Sequence, residues 1–274
     1  DKKVGLSDTM KAKTEPKTFK RNPIPGTKFT IAISSAKGGV GKSTFATNLA
    51  LALKNTGCKV GLLDADIYGP SLPKLLNTNK EPKIENKNFL PIEVNGLKTM
   101  SIGYLIPEET ANIWRGPMVI KAVTQLLKDV AWGELDILII DTPPGTGDVQ
   151  LTISQKIDVN GALIITTPQE LSLLDVKRGI NMFRKVNLPI LGLIENMSYY
   201  ICNECKKKHY IFGKQSSLKL ANNFDLEVLG ELPLSEDLIK KYDIQHPIIK
   251  QKQDDMIFKS FFDISQKIMK KIKI

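Results

Sequence analysis

The chain has 274 residues, 42% of them hydrophobic and 25% charged, and a formal net charge of +10. That composition is ordinary for a globular protein, and the length supports one large α/β domain with a well-buried core. Only three cysteines are present, and no run approaches the roughly 18 apolar residues of a membrane helix, so collagen, a disulfide scaffold, a membrane span and wholesale disorder are excluded and a reducing compartment, the cytoplasm, is expected.

Residues 1–28 are polar, contain Pro16, Pro23, Pro25 and Gly26, and carry 8 basic against 3 acidic side chains. They read as a flexible tail or linker, with residues 29–274 forming the folded domain. The first apolar run, 29–34, is a predicted strand. Short apolar runs follow at 59–64, 135–141, 161–166 and 190–195, most of them bounded by turn residues, as suits strands buried on both faces. Helix-length segments separate them at 43–54, 118–130, 171–186 and 216–223, and 226–230 adds a further strand. Asp148 is expected to cap the helix after the 135–141 strand. The alternation argues a doubly wound, mainly parallel sheet with right-handed crossovers, whose ligands sit beyond the C-terminal strand ends. At the chain end, Phe261, Ile264, Ile268 and Ile272 share one helical stripe with lysines beside it. The stripe is expected to dock on the domain, with a membrane-surface helix as the alternative. Residues 250–274 hold 7 basic and 3 acidic groups, while 29–249 hold 24 and 23, so the excess charge lies at the ends and no nucleic-acid surface is expected.

The first strand runs into Ser34-Ser-Ala-Lys-Gly-Gly-Val-Gly-Lys-Ser-Thr44. Gly38, Gly39 and Gly41 let the backbone curl so that successive N–H groups, Val40 and Thr44 included, point at phosphate oxygens. Lys42 supplies a charge for the β- and γ-phosphates, Ser43 a hydroxyl for Mg²⁺, and the helix N-terminus its dipole. Ala36 stands where the usual pattern has glycine, and Lys37 precedes Gly-Gly: this is the deviant Walker A form, K-G-G-x-G-K-[ST]. Asp64 and Asp66 follow the second strand, and Asp141 ends the 135–141 strand. Carboxylates so placed beside a phosphate loop hold Mg²⁺ directly or through water, or orient the attacking water.

Together the deviant Walker A, DADIYGPS at 64–71, WRGPM at 114–118 and DTPPGTGD at 141–148 resemble the Mrp/ApbC group of P-loop ATPases, which sits with MinD, ParA and the nitrogenase iron protein. The resemblance covers residues 29 to about 250. It implies that Lys37 reaches across a homodimer to the partner's phosphates, that Asp66 acts on the hydrolytic water, that Asp141 is the Walker B position, and that Asn196 contacts adenine.

Cys202 and Cys205 form one C-x-x-C, half of a four-coordinate site, within the segment 198–213. A 4Fe–4S cluster shared by two copies, a structural zinc and a redox dithiol all fit the spacing. The resemblance of NMSYYICxxC…H-x-I-F-G to the cluster segment of Mrp-type carriers selects the shared cluster. Asn203 departs from the proline many relatives have there. His209 reads as a surface or packing histidine rather than an extra ligand, and Cys58 as a small structural residue. The expected protein is therefore a homodimeric, ATP-hydrolysing iron–sulfur carrier serving recipient apoproteins from a cluster donor, with ATP, Mg²⁺ and the cluster bound. A ParA/MinD-like positioning ATPase with structural zinc is the alternative. An electron-transfer ATPase like the nitrogenase iron protein ranks third.

Overall fold

The computed structural model describes residues 20–106, 116–202, 204–205, 207–214, 216–234 and 256–274. Most of the expected tail, together with Trp114, Arg115 and Asn203, lies outside the described residues. The strands in chain order are β1 (Thr27–Ser35), β2 (Val60–Asp64), β3 (Ile84–Glu85), β4 (Asn88–Phe89), β5 (Ile92–Val94), β6 (Leu97–Ser101), β7 (Leu135–Asp141), β8 (Gly161–Thr166), β9 (Ile190–Ile201), β10 (Lys208–His209) and β11 (Val228–Leu234). The helices are α1 (Lys42–Asn55), α2 (Leu72–Leu76), α3 (Gly116–Lys128), α4 (Asp148–Lys156), α5 (Glu170–Lys185), α6 (Ser216–Asn223) and α7 (Met256–Ile272).

The main sheet runs β10-β9-β8-β1-β7-β2-β6-β5, with β11 paired to β9. Every pairing from β9 to β6 is parallel, as is β11 with β9; β10 and β5 are antiparallel additions. The five runs expected as central strands are the parallel core. β2 and β8 are buried at every residue, which is why their sequences do not alternate. The chain passes to one side of β1 for β2 and returns to the other side for β8, so the loop after β1 opens at the switch point where ligands of such sheets bind. Register then brings the acids together: Asp141 is the Cα partner of both Ile33 and Asp64.

Three features differ from expectation. Residues 20–28 are not a free linker: Ile24 is buried, Asn22 bridges Ile157, and Arg21 Nε donates to the Ser154 carbonyl at 2.8 Å. The strands between 84 and 101 were not anticipated, although Asn95-Gly96 between β5 and β6 carries a hairpin signal, with both residues at positive φ (53° and 76°). Helix α4 begins at Asp148 itself, and Gly147 takes the cap position assigned to it.

The C-terminal stripe is docked. Phe261, Ile264, Ile268 and Ile272 are buried, the Phe261 ring lies 5.6 Å from that of Phe45 on α1, and Lys267 Nζ donates to the Leu229 carbonyl at 2.8 Å. Emptying a fully buried aromatic site costs roughly 3–5 kcal/mol. Phe261→Ala is thus expected to lower the thermal midpoint by about 10 °C, followed by circular dichroism. An unchanged midpoint would mean the helix leaves this groove.

Candidate functional site

β1 ends in the loop that precedes α1, and the loop's shape is set by two residues in the left-handed region, Gly39 (φ 77°) and Gly41 (φ 81°). At Gly41, which caps α1, an added Cβ would lie 2.4 Å from Asn196 Nδ2, so glycine is required on steric and conformational grounds alike. At Gly38 and Gly39 an added Cβ would meet nothing within 4 Å: that side of the loop is open. It faces a cavity of about 290 Å³ lined by Lys37, Lys42, Ser43, Asp66, Ser71 and Pro144, among others. The Ser71 hydroxyl oxygen is buried there without a hydrogen-bond partner. A glycine loop, a helix N-terminus, a lysine and an unsatisfied hydroxyl on one cavity suit the phosphates of a nucleotide.

Lys42 is buried and lies between two carboxylates, 2.6 Å from Asp141 Oδ1 and 3.6 Å from Asp66 Oδ2. Burial opposes its charge, but Asp141 and Asp66 outweigh it, and the ammonium is held above its ordinary pKa. Burial, with the Asp141 charge, raises the Asp66 carboxyl against the pull of Lys42. Asp64 is sealed beneath them. Its Oδ1 accepts the Asp66 N–H (3.1 Å), and its Oδ2 accepts the Ser71 N–H (3.1 Å), the Leu72 N–H (3.2 Å) and the Ser101 hydroxyl (3.0 Å). Burial and the neighbouring Asp141 push its pKa up to about 7. Sequence reasoning put Asp64 among the magnesium ligands; here four donors occupy its oxygens, and it shapes the loop that carries Asp66 and Ser71.

Two residues escaped sequence reasoning. Asp175 on α5 forms an ion pair with Lys37 at 3.1 Å and with Arg178 at 3.0 Å, so in this single chain the signature lysine lies against its own α5. Nothing in a helical stretch of sequence singles that aspartate out. Gln150 is buried on α4, and its two Nε2 hydrogens are shared among Ser34 Oγ (2.5 Å), Thr142 Oγ1 (3.1 Å) and the Pro143 carbonyl (3.2 Å), fastening the DTPPG loop to the end of β1. Its place two residues after Asp148 in the motif was the available signal. Asn196, on β9, is also buried and donates to the Val40 carbonyl at 2.8 Å.

β9 continues past the sheet body to Ile201 and turns back through β10. The antiparallel register pairs Ile201 with Lys208 and Tyr200 with His209, and the Cys202 N–H donates to the Lys207 carbonyl at 3.1 Å. Cys202 is half-buried, Cys205 exposed, and none of the three cysteines is in a disulfide. His209, read from the sequence as a surface or packing histidine, is exposed; its Nε2 lies 3.8 Å from Cys205 Sγ, and one ligand atom from each of Cys202, Cys205 and His209 falls within 4.8 Å of the others. Cys58 sits apart, packed against the core and in contact with Thr56 Oγ1 at 3.5 Å.

Comparison with known proteins finds a match over residues 26–269 to the ParA family model described as NUBPL iron-transfer P-loop NTPase. The chain is 48% identical over 256 residues to the iron-sulfur cluster carrier protein of Aquifex aeolicus, covering 92% of this chain and 70% of that one. It is 44% identical over 257 residues to the iron-sulfur cluster transfer protein NUBPL of Mus musculus, covering 93% and 81%. Among solved structures, it is similar to a nucleotide-binding protein from Archaeoglobus fulgidus in complex with ADP, with Co found, at a TM-score of 0.75 and 37% identity over 87% of this chain and 93% of that one. It also shares the fold of the cell division ATPase MinD of Pyrococcus furiosus, at a TM-score of 0.66 and 21% identity over 89% and 99%.

Proposed function

The chain belongs to the NUBPL iron-transfer P-loop NTPase family of the ParA group, and from that premise we propose that it is a homodimeric, ATP-hydrolysing carrier that holds a 4Fe–4S cluster between two copies and passes it from a donor to recipient apoproteins. The observation that carries this reading is one strand. β9 packs Asn196 against the phosphate loop at Val40, and the chain reaches Cys202 one residue after β9 ends. A change in the loop on nucleotide binding therefore acts on the element that carries the thiols. The relatives named as cluster carriers and the ADP-bound neighbour support both halves of the reading.

In this scheme the N–H groups of Gly38–Thr44 and the Lys42 ammonium take the phosphates, and Asn196 borders the adenine. Lys37 leaves Asp175 to reach the partner's phosphates, which couples hydrolysis to dimer assembly. Mg²⁺, where bound, is held by the Ser43 hydroxyl and Asp141, directly or through water, and neutralises phosphate charge. Asp64 contributes by fixing the loop. Asp66, 3.6 Å from Lys42 and lining the cavity, orients the attacking water. The reading places the protein in a reducing, aqueous compartment, the cytoplasm; among the described residues no helix is long and apolar enough to cross a membrane.

The test is anaerobic reconstitution with iron and sulfide, assay of iron, sulfide and zinc, and transfer to an apo acceptor with and without ATP. A zinc-only protein would return the positioning-ATPase alternative. Asp66→Asn is expected to bind ATP as the parent does and hydrolyse it roughly a hundredfold more slowly, measured by phosphate release. Hydrolysis at the parent rate would remove Asp66 from the reaction.

A further inference from the structure

We infer that Glu195 is a positioning residue: it clasps both ends of the chain segment that carries Cys202 and Cys205, and beside Asn196 it passes the state of the phosphate loop to that segment. This deepens the carrier reading and rests on it, since it says how nucleotide acts on the thiols. Glu195 is buried, at 1% exposure, and its two oxygens serve opposite ends of one excursion of the chain. Oε1 accepts the Ser198 hydroxyl at 2.6 Å, just past the point where β9 ends its pairing with β8. Oε2 accepts the Ser217 N–H at 3.0 Å, in the first turn of α6, where the chain returns. Ser198 and Ser217 are buried too. One carboxylate therefore closes the base of the excursion 199–216, and a helix N-terminus is satisfied from a strand rather than by its own cap.

The backbone between the two tasks is irregular. From the Glu231–Glu195 pair to the Pro233–Tyr199 pair, β11 advances two residues (231 to 233) while β9 advances four (195 to 199). Asn196, Met197 and Ser198 form the resulting bulge. Met197 has a φ of 55° and, among the described residues, is the one non-glycine at positive φ inside a strand. A side chain with a Cβ adopts that conformation only where neighbouring contacts hold it, and such strain gathers at functional sites. The contacts here lie on either side of Met197. Asn196 Nδ2 donates to the Val40 carbonyl at 2.8 Å, and Ser198 is held by Glu195. Bulges re-aim side chains, and this one sends Asn196 to the phosphate loop while Glu195 grips the base of the thiol-bearing segment. A nucleotide that fixes the loop around Val40 favours this arrangement of the bulge, and by linkage the closed base. A carboxylate with an architectural role alone would hold the base equally well with and without nucleotide.

Hydrogen exchange of the reduced, metal-free full chain reads this difference, with calorimetry of ADP on the same samples. In the parent, saturating ADP should slow exchange of the amides across 199–217. Glu195→Ala should exchange faster there, still bind ADP, and lose the ADP-dependent slowing. Glu195→Gln should restore the slowing, because the amide keeps an oxygen for the Ser217 N–H and can donate to the Ser198 hydroxyl. Ser198→Ala releases one end and leaves the bond to α6 in place. It should keep the parent circular dichroism and lose most of the slowing, and it decides the matter where Glu195→Ala does not fold. Exchange in the parent that is indifferent to bound ADP, or a Ser198→Ala or Glu195→Ala variant with the full parent response, would overturn the inference and leave the carrier reading standing. A parent that binds no ADP would overturn both.

Discussion

Lys42→Ala is expected to abolish nucleotide binding and to destabilise the fold at the same time. The first effect follows from chemistry: charge-assisted bonds to phosphate contribute about 1.5–3 kcal/mol each, so binding should weaken by roughly a hundredfold or more, measured by calorimetry with ADP. The second follows from burial. Asp141 lies 2.6 Å from the ammonium and Asp66 3.6 Å, and Asp141 is buried against Asp64 in the next strand. Without the lysine these carboxylates lose their counter-charge, and Asp141 is buried. Removing one partner of a buried pair costs about 3–5 kcal/mol, which lowers the thermal midpoint by about 10 °C in a protein of this size. The two effects separate in the double variant Lys42→Ala/Asp141→Asn. Neutralising Asp141 should recover much of the midpoint and none of the nucleotide binding. A single variant with an unchanged midpoint would mean that the site carries less buried charge than the geometry shows.

The sheet was legible because its core strands are short, apolar throughout and punctuated by turns, so period and length agreed on what they are. The phosphate loop was legible because glycine at φ 77° and 81° is a backbone requirement written directly into the residue type. What sequence could not show is what depends on pairing across the fold. Nothing local in Asp64 reveals that Ser101, far along the chain, donates to it, or that the loop N–H groups fill its remaining lone pairs. A carboxylate motif therefore reads the same whether it faces a cavity or seals a loop. Asp175 was invisible for the same reason, since its tie to Lys37 is made by tertiary packing of α5. Strands β3, β4 and β5, with two or three residues each, are too short for periodicity to carry a signal; β6 is as long as β2 but its sequence, LKTMS, is not an apolar run, and only the Asn95-Gly96 turn marked it. The nearness of His209 to Cys205 was not legible because sequence spacing does not say which way a hairpin returns; the register does.

Cys202→Ser or Cys205→Ser is expected to eliminate the cluster altogether rather than halve it. Four ligands are needed and one chain offers two thiols on one turn, so the simplest completion is a second copy related by a two-fold axis, in which each substitution deletes two of four sulfurs at once. The reconstituted parent should hold about four iron atoms per dimer, with the cluster favouring the dimer by linkage because a single chain holds half of the shared site. Ile211 and Phe212 are exposed on the same segment, apolar surface that a second copy would cover in that arrangement. Cys58→Ser should leave the cluster intact, because Cys58 lies against the core beside Thr56 and outside the hairpin. None of the three substitutions should disturb the P-loop fold: Cys202 lies one residue beyond β9, Cys205 is exposed, and serine in place of the half-buried Cys58 changes one atom. Iron and sulfide assays, visible absorption and sedimentation of the parent and variants decide the matter together. A full cluster in a protein that sediments as a monomer, or one that survives Cys202→Ser, removes the shared site. Tightly bound zinc that iron and sulfide fail to displace under anaerobic reconstitution makes the hairpin a structural staple, and the P-loop body then serves positioning rather than transfer.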